Sequence, residues 1–242
     1  MGKTYACSDL HGMLDFFNKI VEMLEPDDTV YFLGDAGDRG PDSWETIKKV
    51  YEHPQFIYLK GNHEDMLIKA LKEYQQFDCM GHEYRLLHMN GGVRTFEDCL
   101  EEENINDWIV KLDELPVLET YVNKEGKTIL LSHAGFTPYI EDKELYTPSN
   151  KDLIWDRTHY YSTTWREYSG NNNYIVHGHT PMQYLKADIM LKAYKPNNES
   201  DEKYIPFWYC EDHKCCIDSG AFFTKQFCLL DLDTFEYYHF TQ

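Results

Sequence analysis

Residues 3–12 read KTYACSDLHG, a short strand-like run that ends in two polar side chains and a glycine. The pattern predicts a β-strand over residues 3–8. Asp9 and His11 come directly after it. Because residues two apart on an extended chain point the same way, both side chains can reach one ion. This order of strand and then metal-binding side chain recurs along the chain.

Two further predicted strands end in the same way. Residues 29–33 lead into Asp35, within the run GDAGDRG, and residues 56–59 lead into Asn62 and His63, within GNHED. Apolar residues at helical spacing separate the three strands, and this β-α-β-α-β-α order predicts a parallel sheet with crossover helices. Ligands of such sheets bind outside the carboxyl ends of the strands, so we expect these side chains at one edge.

Two later strand ends supply further histidines. Residues 117–122 and 128–132 form a predicted hairpin that leads into His133, and an apolar run at residues 174–176 leads into His179. Each short motif alone is more often a turn or a surface pair. Five such strand ends in one chain indicate a metal centre.

The remaining pattern predicts the fold class. Strands are predicted at residues 215–217 and 227–232, whereas residues 81–115 lack strand signals and have helical character. Strands at both ends of the chain predict an α/β fold of two packed mixed β-sheets flanked by helices, an α-β-β-α sandwich. We expect one domain over residues 1–242, with a largely helical insert at about 81–115, and an exposed loop over 196–203.

Charge and cysteine usage limit the partners. The net charge of -19 disfavours binding to nucleic acid and to an anionic membrane surface. Seven cysteines without the spacing of a disulfide framework indicate reduced thiols, and neither a bilayer-length apolar run nor a signal peptide is present. We therefore expect a cytoplasmic protein whose partners include neither nucleic acid nor membrane. The oligomeric state is not indicated.

The mixture of side chains at the strand ends favours two ions over one. The six candidate ligands, which are imidazole, carboxylate and amide groups, are more than one ion usually binds. One carboxylate can also bridge two ions. We expect Mn²⁺, with Fe or Zn²⁺ as alternatives, because Ca²⁺ prefers oxygen ligands alone. Such a pair would polarise a phosphoryl group and deprotonate a bridging water near neutral pH. The candidate ligands are Asp9, His11, Asp35, Asn62, His133 and His179.

The combination of motifs resembles the phosphoprotein-phosphatase branch of the calcineurin-like metallophosphoesterases. It is most similar to the bacterial and bacteriophage lambda-type Ser/Thr protein phosphatases. The motifs that carry the likeness are residues 8–12, 34–40, 61–64, 90–92, 113–116, 132–135, 155–157, 177–181 and 217–222. The resemblance implies the calcineurin-like fold and hydrolysis of phosphate monoesters by a hydroxide that bridges two metals.

The resemblance also implies roles for the metal ligands. Asp9 and His11 would hold the first metal, Asp35 would bridge, and the other three candidates would complete the second site. His177 would be a further neighbour of the first metal.

Other polar residues near the ligands are implied to be catalytic. His63 would protonate the leaving oxygen, with Asp38 orienting it, and Arg39 and Arg157 would bind the phosphate oxygens. The chemistry agrees, because a carboxylate orients an imidazole and raises its pKa, and guanidinium groups neutralise phosphoryl charge. A mutual surface ion pair between Asp38 and Arg39 is the alternative. Asn90 is a candidate substrate-binding residue, with a bare turn as the alternative.

Three functions remain open. Dephosphorylation of phosphoserine or phosphothreonine in proteins is the favoured one, and symmetrical hydrolysis of diadenosine tetraphosphate is the alternative with the same metal core. A non-catalytic binding protein of the same fold is disfavoured, because every expected catalytic position is filled. A zinc knuckle at Cys210, His213, Cys215 and Cys216 is disfavoured, because a second matching pair of ligands is missing.

Overall fold

The computed structural model describes residues 2–136, 140–141, 144–145, 148–159, 173–185, 204–209 and 213–242. The predicted loop over residues 196–203 and the side chain of Cys210 lie outside these ranges.

Twelve strands occur in the described ranges. In chain order they are β1 (Thr4–Cys7), β2 (Thr29–Phe32), β3 (Phe56–Tyr58), β4 (Leu118–Val122), β5 (Thr128–Ser132), β6 (Ile140–Glu141), β7 (Glu144–Leu145), β8 (Asn173–His177), β9 (Phe207–Tyr209), β10 (Lys214–Cys216), β11 (Gln226–Asp231) and β12 (Tyr237–Thr241).

Helices follow each of the first three strands, fill most of the predicted insert and recur later in the chain. They are α1 (Leu14–Met23), α2 (Ser43–Glu52), α3 (Asn62–Phe77), α4 (His82–Met89), α5 (Val93–Leu100), α6 (Ile105–Asp113), α7 (Asn150–Trp155) and α8 (Ala221–Thr224). Three of them, α4 to α6, lie in the region expected to be helical. That the whole chain forms one domain stays a prediction.

Two five-stranded sheets form the centre of the protein. The first has the order β12-β11-β1-β2-β3. In it β1, β2 and β3 run parallel, and β11 is antiparallel to both of its neighbours, β1 and β12. The second has the order β4-β5-β8-β10-β9, with β5, β8 and β10 parallel and both edge strands antiparallel. The predicted fold class of two mixed sheets flanked by helices is therefore confirmed.

Alternation along the strands of the first sheet fills two layers of the core. In β11, Phe227 and Leu229 belong to the cluster beneath the helices, whereas Cys228 and Leu230 belong to the cluster shared with the second sheet. This follows from the two-residue period of a strand, which sends successive side chains to opposite faces. Because both faces are covered, the strand is apolar between its end residues Gln226 and Asp231, which explains why sequence alone detects it.

The cysteines behave as small core residues. Cys215, Cys216 and Cys228 lie in the layer between the sheets, and the cysteines in the described ranges are free thiols. Burial raises the pKa of each of these three thiols, and that of Cys228 reaches about 12. They are consequently inert hydrophobic side chains. Among the described helices, none has the length and apolar character needed to cross a membrane.

Candidate active site

The strand ends converge through backbone hydrogen bonds. The N–H groups of Asp9 and His11 donate to the carbonyl groups of Gly34 and Asp35, each at 3.0 Å. The loop after β1 is thereby bound to the loop after β2. From the second sheet, the N–H of His179 donates to Asp9 Oδ2 at 3.0 Å, which joins the two sheets at this edge.

Several polar residues of the site adopt a left-handed backbone conformation. The φ angles are 58° at Asp9, 47° at His11, 61° at Asp35 and 68° at His179. Residues other than glycine rarely adopt this backbone conformation, and each instance costs on the order of 1–2 kcal/mol. Such strained residues cluster at functional sites, where the surrounding structure holds them. The sequence gives one weak signal, since Asp and His tolerate this conformation better than most residues.

Asp35 lies at the centre of the cluster. Its Oδ2 is 3.7 Å from His11 Nε2, 3.8 Å from His63 Nε2 and 3.4 Å from His133 Nε2. Burial opposes ionisation of Asp35, but the imidazoles of His133 and His63 outweigh it and hold its pKa well below the usual range. Asp35 is thus an ionised carboxylate with histidines on three sides.

Two groups of donor atoms share this carboxylate. One consists of His11, Asp35 and His63, and the other of Asp9, Asp35 and His133, with the donor atoms of each within 4.8 Å of one another. Asp9 also lies close to His11, because its Oδ1 is 3.9 Å from His11 Nε2. The Asn62 amide lies beside the second group, because its Oδ1 is 2.9 Å from His133 Nε2 and 2.8 Å from His179 Nδ1. All six predicted ligands are buried at this one edge.

The carboxylate of Asp9 fits a cation. Its Oδ2 accepts hydrogen bonds from the Ser8 hydroxyl and the His179 N–H, whereas the buried Oδ1 accepts none from the described residues. Burial raises the pKa of Asp9 to about 6, which reflects the cost of a buried negative charge. A divalent ion at Oδ1 would compensate that charge, and the surrounding imidazole and carboxylate donors suit a transition metal.

His177 lies apart from the donor groups. Its Nδ1 donates to the Gly178 carbonyl at 3.0 Å, and its Nε2 accepts from the Tyr209 hydroxyl at 2.7 Å. Burial lowers the pKa of His177 to about 3, so the ring is neutral. Both nitrogens therefore serve these protein groups, and neither belongs to the donor groups around Asp35. The expectation that His177 neighbours the first metal is not supported by this geometry.

His63 pairs with Asp38. Its Nδ1 is 2.6 Å from Asp38 Oδ2, and the Asp38 N–H donates to Thr95 Oγ1 of α5 at 3.2 Å. Burial opposes protonation of His63, but the charges of Asp35 and Asp38 and the bond to Asp38 outweigh it and raise the pKa. The other ring nitrogen, Nε2, lies 3.0 Å from Arg39 Nη2. Asp38 thus serves the imidazole and does not form a surface pair with Arg39.

A cavity of about 270 Å³ lies over this cluster. Arg39 and Arg157 each contact a histidine of the cluster. Arg39 Nη1 is 2.6 Å from His11 Nε2, and Arg157 Nε donates to His179 Nε2 at 3.0 Å. The two guanidinium groups flank the donor atoms and have the chemistry to bind phosphoryl oxygens. The cavity is lined by Asp35, Arg39, Asn62, His63, Asn90, Trp155, Arg157 and His179.

Glu64 organises the site, and no role was predicted for it. One carboxylate oxygen accepts from the N–H groups of Asp35 and Gly61, at 2.9 and 2.8 Å. The other accepts from the Ala36 N–H at 2.9 Å and the Tyr58 hydroxyl at 2.7 Å. Glu64 thereby joins the β2 and β3 loops. The sequence signal was available, because a glutamate three residues after a helix N-cap is the capping-box position.

The loop after β3 needs a glycine at position 61 because Asp35 lies very close to its backbone. A Cβ atom at this position would overlap with the carboxylate and the backbone nitrogen of Asp35. The close approach lets α3 begin at Asn62, so that the positive end of its dipole faces the Asp35 carboxylate. The His63 N–H, in the first turn of this helix, donates to Asp35 Oδ1 at 3.0 Å.

The fold and the donor groups together agree with a comparison of families. The calcineurin-like phosphoesterase family matches residues 2–207, which is most of the chain. The chain therefore belongs to this family, whose members use divalent metals to hydrolyse phosphoesters. The metal identity and the individual residue roles stay predictions.

Individual relatives are more distant. The chain is 27% identical over 168 residues to an asymmetrical bis(5'-nucleosyl)-tetraphosphatase of Oceanobacillus iheyensis. The match covers 63% of this chain and 62% of that relative.

Solved structures share the fold. A putative diadenosine tetraphosphatase aligns with a TM-score of 0.62 at 15% identity, covering 99% of this chain and 93% of the other. A protein serine/threonine phosphatase of Saccharomyces cerevisiae aligns with a TM-score of 0.56 at 14% identity, covering 100% and 80%. At these identities the likeness concerns the fold alone.

Proposed function

We propose that this protein is a metal-dependent phosphohydrolase whose reaction takes place in the 270 Å³ cavity. One observation carries the proposal: the His63–Asp38 pair and two guanidinium groups surround the same donor atoms that fit metal ions. A buried metal cluster could be purely structural. An imidazole with a raised pKa and two arginines beside it add the acid and the phosphate contacts that hydrolysis needs.

The residues that would hold the ions are Asp9, His11, Asp35, Asn62, His133 and His179. Two bound divalent ions, Mn²⁺ in our proposal, would neutralise phosphoryl charge and lower the pKa of a coordinated water. Asp35 would be shared between them, because its Oδ2 faces His11, His63 and His133. His63 belongs to the first donor group by distance, but its Nδ1 is taken by Asp38 and its Nε2 contacts Arg39.

The protein's own side chains would act on the substrate as follows. Arg39 and Arg157 bind the nonbridging oxygens and orient the phosphorus in the cavity. His63 donates its Nε2 proton to the leaving oxygen as the phosphorus–oxygen bond breaks, and Asp38 keeps the ring in position through Nδ1. Asn90 lines the same cavity and would contact the substrate.

Two substrate classes are supported by different observations. Phosphoserine and phosphothreonine in proteins follow from the resemblance in sequence motifs, and the fold of the yeast phosphatase is compatible with them. Dinucleoside tetraphosphates are named for the Oceanobacillus relative. We further propose that the substrate is a phosphoprotein or a small phosphorylated molecule, since the net charge of -19 repels large polyanions.

A substrate panel tests the proposal. The Mn²⁺-loaded protein is assayed on a phosphoserine peptide, a phosphotyrosine peptide and diadenosine tetraphosphate, with the His63→Asn variant as the inactive reference. We expect turnover of at least one class and a drop of at least about a hundredfold in the variant. A matched control is His82→Asn, because His82 is exposed at the start of α4. Absence of metal-dependent turnover on every substrate would refute the proposal.

A further inference from the structure

A second and larger cleft opens beside the catalytic cavity. Its volume is about 720 Å³, and it shares Arg39, Asn90, Arg157 and His179 with the smaller cavity. A phosphate held between the two arginines would therefore lie at the junction. The group attached to that phosphate would extend into the cleft. The chemistry of the cleft wall thus bears on what the substrate carries.

Three large hydrophobic side chains are exposed along the wall of this cleft. Met89 is 81% exposed, and Tyr184 and Phe223 are each 61% exposed. In the described part of the chain, nine large hydrophobic side chains are exposed, and these three border one cleft. Exposed apolar side chains that cluster around a polar site mark a ligand-binding surface.

The Phe223 ring and the segment that carries Tyr184 are positioned by nearby contacts. Phe223 lies in α8, where its ring packs against that of Phe222 at 5.1 Å between centroids. The Phe223 ring is also 5.9 Å from the guanidinium carbon of Arg39. The neighbouring segment with Tyr184 is tied to the start of this region, because the Met182 N–H donates to the Asp218 carbonyl at 2.9 Å. These contacts position Phe223 beside Arg39 and bring the segment that carries Tyr184 to the same side of the cleft.

We propose that this cleft binds the nucleobase of a nucleoside phosphate whose phosphate lies between Arg39 and Arg157. The proposal rests on the phosphohydrolase function above and selects its substrate class. A nucleotide joins a flat ring to an anionic phosphate. The cleft offers the rings of Tyr184 and Phe223 and the thioether of Met89 beside the guanidinium groups of Arg39 and Arg157. Stacking of a base on aromatic side chains contributes a tenfold or larger gain in affinity. A serine or threonine side chain offers no ring to these residues.

Binding measurements test the base directly. AMP, ribose 5-phosphate and inorganic phosphate are titrated calorimetrically into the Mn²⁺-loaded His63→Asn protein, which prevents turnover. AMP and ribose 5-phosphate differ only by the base. We expect AMP to bind at least about tenfold more tightly. We expect Phe223→Ala and Tyr184→Ala each to remove most of that preference while binding of inorganic phosphate stays within about twofold.

The matched control is Phe77→Ala, because Phe77 is also 61% exposed and lies at the end of α3, outside the cleft lining. We expect it to leave the preference for AMP unchanged. Equal binding of AMP and ribose 5-phosphate by the parent protein would overturn the inference, as would equal effects of the Phe223 and Phe77 variants. Tighter binding of phosphotyrosine than of AMP would overturn it as well, by showing that the cleft takes a phenol ring.

The test separates the two proposals. A preference for AMP that depends on Phe223 supports the cleft assignment whether or not the parent enzyme hydrolyses any substrate. Metal-dependent turnover without such a preference supports the phosphohydrolase function and refutes the nucleobase cleft.

Discussion

His63 Nδ1 lies 2.6 Å from Asp38 Oδ2, and both side chains are almost fully buried. At this distance the Nδ1–H of His63 donates to the Asp38 carboxylate, and Nε2 faces the cavity, where it lies 3.0 Å from Arg39 Nη2. The charges of Asp35 and Asp38 outweigh the effect of burial and raise the pKa of His63, which favours the protonated ring. This geometry supports the proposed role of the pair as the general acid.

Replacement of this acid should affect substrates unequally. In His63→Asn, we expect kcat to fall about 10²- to 10⁴-fold on alkyl phosphates, whose leaving oxygen needs a proton. The fall should be much smaller on p-nitrophenyl phosphate, whose leaving group is stable as an anion. Steady-state kinetics on both substrates, with metal analysis of the purified variant, checks the prediction.

The metal analysis decides between two roles for His63. Its Nε2 is 3.8 Å from Asp35 Oδ2, so the imidazole is near enough to the donor groups to be a ligand. If the variant purifies with fewer ions than the parent protein, His63 is a ligand and its assignment as an acid is wrong. The exposed His82→Asn variant shows what an unrelated histidine replacement does to both readouts.

The strands that deliver the site were predictable because their apolar runs are buried on both faces. Elements at a sheet edge or on the surface could not be predicted in this way. The strand β12 was missed, since its residues are exposed or half-buried and it exists by pairing with β11. The helix α4 lies within the predicted helical insert, but its bounds were not predicted, because Leu87 is its single buried residue and no apolar stripe marks it. Tertiary pairing, which a local pattern does not contain, determines both elements.

The same distinction applies to the site. Asp35 and His133 were predictable as ligands, because each follows a strand whose apolar run is visible in the sequence. The orientation of His177 was not, because it depends on Tyr209 in β9, a strand that sequence alone did not detect. The four hydrogen bonds to Glu64 depend likewise on loops that meet only in the folded protein.

Metal removal should lower both activity and stability. The buried Asp9 Oδ1 accepts no hydrogen bond from the described residues, so an ion there compensates a charge that is otherwise costly. We expect a chelator to abolish turnover, and Mn²⁺ at about a hundred times its Kd to restore it. The same Mn²⁺ should raise the Tm by about 5–10 °C. Differential scanning calorimetry with and without Mn²⁺ provides the check.

A carboxylate variant shows whether the stabilisation comes from this site. In Asp35→Asn, the central charge of the donor groups is removed, so we expect Mn²⁺ to leave the Tm nearly unchanged. Asp78→Asn is the control, because Asp78 is exposed at the C-cap of α3 in a conformation that asparagine tolerates. An Asp35→Asn protein that gains as much stability from Mn²⁺ as the control would contradict the proposed site.

Glu64 should influence metal binding without touching a metal. Glutamine keeps the size of the side chain but replaces one acceptor oxygen with an amide donor, so part of the set of four hydrogen bonds is lost. We expect Glu64→Gln to lower the free energy of unfolding by about 2–3 kcal/mol. Mn²⁺ affinity should fall about 10- to 100-fold, because the Asp35 loop loses its support. Urea unfolding and metal titration measure the two effects.

Two companion variants complete this test. Tyr58→Phe removes one of the four hydrogen bonds to Glu64 and should cause about 1 kcal/mol of the loss. The exposed Glu103→Gln should change neither quantity. Retention of full Mn²⁺ affinity in Glu64→Gln would show that the loops are held by other contacts.

Asp233 should make the junction of the two sheets sensitive to acid. Its Oδ1 accepts from the Tyr121 hydroxyl of β4 at 2.8 Å, and its Oδ2 is 2.6 Å from Lys124 Nζ. Burial opposes ionisation, but these partners outweigh it and lower the pKa of Asp233 below its ordinary 3.8. A carboxylate with a lowered folded pKa stabilises the protein above the unfolded pKa, and that contribution is lost as pH falls through the folded value.

The isosteric Asp233→Asn variant isolates that contribution. We expect it to be about 1–3 kcal/mol less stable than the parent protein at pH 7, because the charge-assisted hydrogen bonds are weakened. The gap should narrow below pH 3.8, as the parent carboxyl group itself becomes neutral. Lys124→Met should cost less than Asp233→Asn, since the ammonium end is exposed to water and the pair is screened. Urea unfolding from pH 7 to pH 3 measures each difference, and a gap that stays constant across this range would rule out the ionised Asp233 as its source.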